Sequence, residues 1–205
     1  MPAADKLYFH AHSAAVPPGQ GVHEKVLDPS LYAALWQTAP RWREALSDDW
    51  ETPLQLLPED PRRYRSVGHV MRLGWQLLAR DAAEAEGRLP EAHKMSFELF
   101  CVRTDKSEIM DFPWMRLSPE DQLMWDAEKE ELRAVAQFAK FSGSADLRAI
   151  LLGTLDAELW EIVARGQKPA LRVVGLERVR AALREGRMEL PPEFSSDSDE
   201  ESEES

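Results

Sequence analysis

The sequence has few cysteines and no long apolar run. Cys101 is the single cysteine of 205 residues, so an internal disulfide is excluded and an intracellular setting is favoured. No apolar run reaches the ~18 residues that a membrane-spanning helix requires. The first residues, MPAADKLYFHAHS, lack the basic-then-apolar pattern of a signal peptide. We therefore expect a cytoplasmic or nuclear protein that does not enter a membrane.

Positive charge is also scarce. Lys and Arg number 25 against 37 Asp and Glu, for a net charge of −12. The segment 193–205 holds seven of the acids and no base, which leaves about −5 on the rest. A general nucleic-acid binder needs a basic face, so that class is not expected, although a local basic groove around Arg62, Arg63 and Arg65 stays open.

The acidic segment is predicted to be a separate tail, with one domain over residues 1–190 and a disordered tail over 191–205. Its composition offers almost nothing to bury. Ser196 and Ser198 each precede an acid by three residues, as acidophilic kinase sites do. The tail is interpreted either as a solvated segment or as a regulated one that binds a basic partner.

Periodicity and capping residues predict an α+β, mainly helical fold. Helices are expected after the caps Asp28, Ser66, Ser118 and Ser144, and over 41–47 and 173–186. Strands are expected over 6–13, 50–57, 95–103 and 155–165. Trp36, Trp75 and Trp125 lie on helical apolar faces, where core packing is the default and stacking on a base or nicotinamide is the alternative.

Common catalytic and metal motifs are missing. His10 and His12 share one face of the first strand, but zinc needs three or four converging ligands, so no metal site is expected. There is no G-x-S-x-G elbow, and PPGQG is not a phosphate-binding loop. Cys101 in an alternating apolar segment is expected to be buried and inert. No cofactor is predicted either.

Four blocks, in order, resemble the NADAR (YbiA-like) family and together cover nearly all of residues 7–186. The first is LYFHAHS with PPGQGVHEKVLDPSLY and RWREALSDDWETPLQL, which is similar to the family's longer version, found mainly among large DNA viruses. The others are RYRSVGHVMRLGWQLL, AQFAKFSGSADLRAILLGT and AELWEIVARGQKPALRVVGLERVRAALREG. The third is the most specific in order, spacing and residue types. A viral chain of this kind would work inside its host cell.

The resemblance implies a mainly helical α+β fold that handles NAD, ADP-ribose or related ribosyl compounds. Characterised relatives cleave N-glycosidic bonds, either in riboflavin-pathway intermediates or between ADP-ribose and a base. A carboxylate beside the ribose carbon would stabilise its oxocarbenium character or activate water. In the family, the glutamate of an S-x-E-H block is the leading candidate for that carboxylate. Here Ser66 and His69 match that block, and Gly68 stands in place of the glutamate.

The loss of this glutamate leaves three functional hypotheses. The favoured one is a diverged domain that binds an ADP-ribose/NAD-like or ribosyl-phosphate ligand with weak or no catalysis. The first alternative is an active N-glycosidase in which Asp48, Asp49 or Glu24 replaces the glutamate, with an ADP-ribosylated base among its substrates. The second is a protein-interaction module that acts through the acidic tail.

The resemblance also implies the site residues. For His69 and Lys140, purely structural roles are the alternatives: a hydrogen-bonded histidine under the core and an exposed lysine at a helix end. The predicted catalytic residues are Asp48, Asp49 and His69, and the predicted ligand-binding residues are Tyr8, Gly21, Glu24, Trp50, Ser66, Gly68 and Lys140.

Overall fold

The computed structural model describes residues 4–57, 62–91, 115–162 and 169–189. The predicted strand over 95–103, Cys101 and the acidic tail lie outside these ranges. Three strands are described: β1 (Lys6–Phe9), β2 (Glu158–Glu161) and β3 (Leu171–Arg172). The helices are α1 (Ala33–Thr38), α2 (Trp42–Leu46), α3 (Val67–Ala85), α4 (Pro119–Ser142), α5 (Ala145–Gly153) and α6 (Val174–Arg184). The predicted α+β, mainly helical fold is confirmed.

The helices begin where the capping residues predict. The Ser66 hydroxyl accepts a hydrogen bond from His69 N at 3.1 Å, and the Ser118 hydroxyl accepts one from Asp121 N at 3.1 Å. Pro119 follows as the first residue of α4, and Gly143 ends that helix. Side-chain oxygens at these positions satisfy backbone N–H groups that the first helical turn leaves without partners. The helix predicted after Asp28 begins as a 3-10 turn, Pro29–Tyr32, before α1.

A small sheet joins the two ends of the domain. β1 pairs in parallel with β2, and β2 pairs antiparallel with β3. Leu7 lies opposite Leu159 and both are fully buried, whereas Tyr8 lies opposite Trp160 on the other face. The leucine face packs on α2 and α6 in a core that includes Trp42. The sheet therefore has one core face and one face turned toward the surface loops.

A second core lies between α3 and α4. It contains the apolar stripe of α3, with Val67, Val70 and Leu73, against Ala136 of α4. Gly74 marks the closest approach, because a Cβ atom there would lie 3.1 Å from Leu132 Cδ2. α4 also packs on α6, so this long helix separates and supports both cores. None of the described helices is long and apolar enough to cross a membrane.

The predicted strands are too long. The segment predicted over 6–13 ends at Phe9, because the chain turns there and Ser13 N donates to the His10 carbonyl at 3.0 Å. The prediction of a strand over 50–57 is wrong: Leu54 makes an isolated bridge with Tyr64, next to Pro53, which has no N–H to donate. β2 covers 158–161 of the predicted 155–165, whose last residues, 163–165, lie outside the described ranges, and the pairing with β3 was not predicted.

Candidate functional site

The first turn of α3 is hydrogen-bonded to the loop that follows α2. Gly68 N donates to the Asp48 carbonyl at 2.9 Å, so a backbone donor of the helix start is satisfied by the loop after α2. Asp49 N lies 3.3 Å from the Ser47 hydroxyl, which accepts its hydrogen bond. These bonds place the dipeptide Asp48-Asp49 directly beside Gly68.

The side chain of Asp49 occupies the space that a side chain at residue 68 would need. A Cβ atom built on Gly68 would lie 2.6 Å from Asp49 Oδ1, well inside van der Waals contact. The Asp49 side chain is 63% exposed, and its Oδ1 lies 3.7 Å from Arg72 Nη1. A carboxylate is therefore present in the space beside Gly68.

Asp48 points the other way and is held by α4. Its carboxylate accepts from Arg133 Nε at 2.5 Å and from Gln137 Nε2 at 2.9 Å. Arg133 also donates to Glu161 of β2. Burial alone would lower the pKa of Arg133, but the two carboxylates raise it above its ordinary value, and burial raises the pKa of Glu161. Asp48 is thus committed to a charge network that joins three parts of the fold.

Lys140 lies beneath the same loop. It is 2% exposed, and its ammonium donates to the Ser47 carbonyl at 2.6 Å. Burial lowers its pKa from near 10.5 to about 7, although Asp48, Glu161 and Asp49 act in the opposite direction. The alternative of an exposed lysine at a helix end is wrong. Lys140 supports the backbone of the loop that carries Asp49.

His69 fits the structural alternative. It is 5% exposed, and its Nδ1 accepts from Arg65 N at 3.2 Å. The ring also meets Tyr64 edge-on, with ring centroids 5.8 Å apart. Together with Ser66, it fixes the entry of the chain into α3. Its predicted catalytic role stays a prediction.

Glu24 is committed to the glycine-containing loop. Its carboxylate is fully buried, pairs with Arg43 at 2.7 Å, and accepts from Gly19 N at 2.8 Å and Gly21 N at 2.9 Å. Tyr8 N lies 3.3 Å from its other oxygen. Arg43 is itself buried, and donates to the carbonyls of Val16 and Pro17 as well. Glu24 therefore anchors this loop to β1 and α2, and it has no carboxylate oxygen left over for a ribose.

Two neighbouring cavities open around the loop after β1. The first, here called the Asp49 cleft, has a volume of about 590 Å³. It is lined by Ala11, His12, Arg41, Glu44, Asp49, Trp50 and Glu51. The second, here called the Tyr8 cavity, has a volume of about 430 Å³. It is lined by Tyr8, His10, His12, Ser13, Ala14, Val16, Gln20, Gly21, Val22, Arg43 and Ile162.

The predicted site residues fall into four groups. Asp49 and Trp50 line the Asp49 cleft, and Tyr8 and Gly21 line the Tyr8 cavity. Glu24 anchors the loop behind the Tyr8 cavity. The remaining ones support the start of α3 and its loop: Asp48, Ser66, Gly68, His69 and Lys140. Among the described residues, no three His, Cys, Asp or Glu side chains converge as a metal site requires.

Three functional supports were not anticipated from sequence: Arg133, Gln137 and Arg43. Arg133, Gln137 and Lys140 recur at spacings of four and three along α4, so they share one helical face. This polar stripe could have been read from the sequence beside the apolar one. Arg43 gave no such signal, because its partner Glu24 lies in a distant loop.

No family model matches the chain, and the search of curated proteins gives no match. The structure is similar to the NMR structure of the E. coli protein YbiA, at 19% sequence identity and a TM-score of 0.44. The match covers 74% of this chain and 84% of that one.

Proposed function

We propose that this chain binds a ribosyl compound of the ADP-ribose or NAD type and hydrolyses the N-glycosidic bond between its base and its ribose. The observation that supports the proposal is the position of Asp49 Oδ1, 2.6 Å from where the Cβ atom of residue 68 would be. The sequence resemblance supplies the reaction class and the reason why a carboxylate matters at this position. We therefore favour the hypothesis of an active enzyme over that of a domain that only binds its ligand.

The main requirement of this reaction is a carboxylate held close to the ribose carbon. As the base departs, positive charge grows on the ribose carbon and the ring oxygen. A carboxylate nearby stabilises that charge or takes a proton from the attacking water. Asp49 has the side chain for either role, and its exposure in the cleft leaves its carboxylate accessible to substrate and water.

The supports of the loop favour a fixed position for that carboxylate. The flanking Asp48 is bonded to Arg133 and Gln137, and the Ser47 carbonyl accepts from Lys140. The Asp48 carbonyl accepts from Gly68 N. Hydrogen bonds on both sides of Asp49 restrict its backbone, and preorganised groups contribute more to catalysis than mobile ones.

A binding domain without catalysis is the second candidate. Asp49 is 63% exposed and pairs with Arg72, and a solvated carboxylate stabilises developing charge less than a desolvated one. The acidic tail, as a site for a basic partner, stays a prediction from its composition.

The test is release of free base by the purified protein. ADP-ribosylated guanine and NAD are incubated with wild type, Asp49→Asn and Glu51→Gln, and the products are separated by chromatography. We expect Asp49→Asn to slow release by about 100-fold or more, as loss of an acid–base group does. Glu51→Gln is the matched control, because Glu51 lines the same cleft but does not lie beside Gly68. Binding of ADP-ribose by calorimetry without base release would support the second candidate instead.

A further inference from the structure

Among the residues that the structure describes, His12 is the one that lines both cavities. On one side it faces the Asp49 cleft, where the proposed carboxylate lies. On the other it faces the Tyr8 cavity, with Val22 and Ile162. A substrate that placed its ribose in the cleft and its base in the cavity would have its scissile bond near His12.

The Tyr8 cavity suits a flat aromatic ring. Its volume of about 430 Å³ lies within the usual range for small-molecule sites. Val16, Val22 and Ile162 supply apolar walls. Tyr8 is stacked on Trp160, with ring centroids 6.0 Å apart and planes 18° apart, so an aromatic surface is already held in place. Base–aromatic stacking is worth about 1–3 kcal/mol per base in nucleic-acid complexes.

His12 is an exposed residue whose backbone is hydrogen-bonded to its neighbour His10. His12 N donates to His10 Nδ1 at 3.0 Å, and the two imidazole rings lie 5.5 Å apart. The charged groups that share the cleft with His12 are the carboxylates of Glu44, Asp49 and Glu51 and the guanidinium of Arg41. Histidine is the side chain suited to exchange a proton near neutral pH.

We infer that His12 is the general acid that protonates the departing base, a role that rests on the proposed function. The bond between the ribose carbon and the base nitrogen breaks, and its electron pair goes to the nitrogen, which takes the proton of His12. Water adds to the ribose carbon and gives its proton to Asp49. The products are the free base and a ribose with a hydroxyl on that carbon, and the proton on Asp49 restores His12 through solvent.

This role specifies a substrate class. A base joined through a neutral nitrogen would leave as an anion unless it is protonated, so the acid matters greatly. Nicotinamide in NAD is a cationic pyridinium and leaves as a neutral molecule, so it needs no acid. The His12 acid is therefore expected to matter for a ribosyl or ADP-ribosyl group on a neutral nucleobase and not for NAD.

The experiment compares His12→Gln with Lys129→Gln on the full-length protein. Lys129 is the control, because it lies on α4, pairs with an exposed Asp126 and lines neither cavity. We measure kcat against pH for ADP-ribosylated guanine and for NAD. We expect His12→Gln to lower kcat for the guanine substrate by about 100-fold and to remove the fall of kcat on the alkaline side. Nicotinamide release should change by less than about 3-fold, as should both rates in Lys129→Gln.

Several results would overturn the inference. An unchanged kcat for the guanine substrate, an equal loss on both substrates, or an unchanged alkaline limb would each exclude His12 as the acid. If the wild type does not hydrolyse NAD, the alkaline limb alone decides. The Asp49→Asn variant separates a failure of the His12 inference from a failure of the proposed function. If Asp49→Asn abolishes release of the base while His12→Gln behaves as wild type, only the His12 inference fails. If Asp49→Asn releases base as fast as wild type, the proposed function fails.

Discussion

At the scale of the residue, Gly68 and Asp49 compete for one space. The clash of a Cβ atom at residue 68 is with the end of an exposed side chain rather than with backbone. We therefore predict that Gly68→Glu is accepted by the fold, with Asp49 turning away into solvent. Loss of its exposed pair with Arg72 costs little, and replacing glycine within a helix gains up to about 1 kcal/mol.

Gly74→Glu on the same helix is the matched control for this prediction. A Cβ atom there meets Leu132 at 3.1 Å and Trp125 at 3.4 Å, both in the packed contact between α3 and α4. The same gain in helix propensity is then outweighed by overpacking, which typically costs about 1–3 kcal/mol. Urea unfolding should show Gly68→Glu within about 1 kcal/mol of wild type and Gly74→Glu clearly less stable. Equal losses for the two variants would contradict an open space beside Gly68.

The second prediction at the residue scale concerns Lys140 and pH. Its pKa is near 10.5 when unfolded and about 7 when folded, so the unfolded state binds more protons between these values. Stability therefore rises with pH across that window, by at most about 1.4 kcal/mol for each pH unit. Below pH 7 the cost of burying the ammonium is fully present. Lys140→Met removes the titrating group and with it this dependence.

The measurement for Lys140 is urea unfolding of wild type and Lys140→Met at pH 6.5 and pH 9. The free energy of unfolding of wild type should improve relative to the variant at the higher pH. Because the comparison is between two proteins at each pH, other titrating groups largely cancel. A difference between the two proteins that does not change with pH would contradict the lowered pKa.

At the scale of the element, Arg133 ties α4 to β2 and to the loop that carries Asp49. Its side chain is mostly buried between Asp48 and Glu161. Arg133→Met would leave two buried carboxylates without their cation, and breaking such a pair costs about 3 kcal/mol. Lys129→Gln on the same helix is the control, because its partner Asp126 is exposed and such pairs contribute under about 1 kcal/mol. Comparable free energies of unfolding for the two variants would show that the network is not a structural tie.

The elements themselves were predictable to different degrees. α3, α4 and α5 follow from local signals, since Ser66, Ser118 and Ser144 cap them and their apolar stripes repeat at helical spacing. The strands did not follow as well, because strand length depends on the partner. β1 ends where its pairing with β2 ends, at Phe9 opposite Glu161. β3 is two residues long and exposed, so its sequence carries no alternation to detect.

The residues of the candidate site were named from the sequence resemblance, but their arrangement in space was not predicted. The resemblance brought forward Asp48 and Asp49 together, yet nothing in the sequence says which carboxylate turns toward Gly68. That choice is made by Arg133 and Gln137, which are 85 and 89 residues away along the chain and hold Asp48. Glu24 is likewise paired with the buried Arg43, and its predicted role at the ligand stays a prediction. Long-range charge pairing, which local pattern does not contain, decides which acid is available.

At the scale of the whole molecule, the Tyr8 cavity and the Asp49 cleft are neighbours that are supported by different parts of the fold. The sheet and α2 hold the Tyr8 cavity, and the contact between α3 and α4 supports the loop of the Asp49 cleft. Under the proposed function, the carboxylate that acts beside residue 68 comes from the loop that carries Asp49 and not from α3. This is the central claim, and it predicts that the two positions can be exchanged.

The most direct test is the rate of base release from ADP-ribosylated guanine by wild type, Asp49→Asn and the double variant Asp49→Asn/Gly68→Glu. Wild type is expected to release base, and Asp49→Asn to be slower by about 100-fold. The double variant returns a carboxylate to the same space from the helix side, so it should recover about 10-fold or more of the lost rate. No release by wild type, or equal rates for wild type and Asp49→Asn, would contradict a relocated catalytic carboxylate.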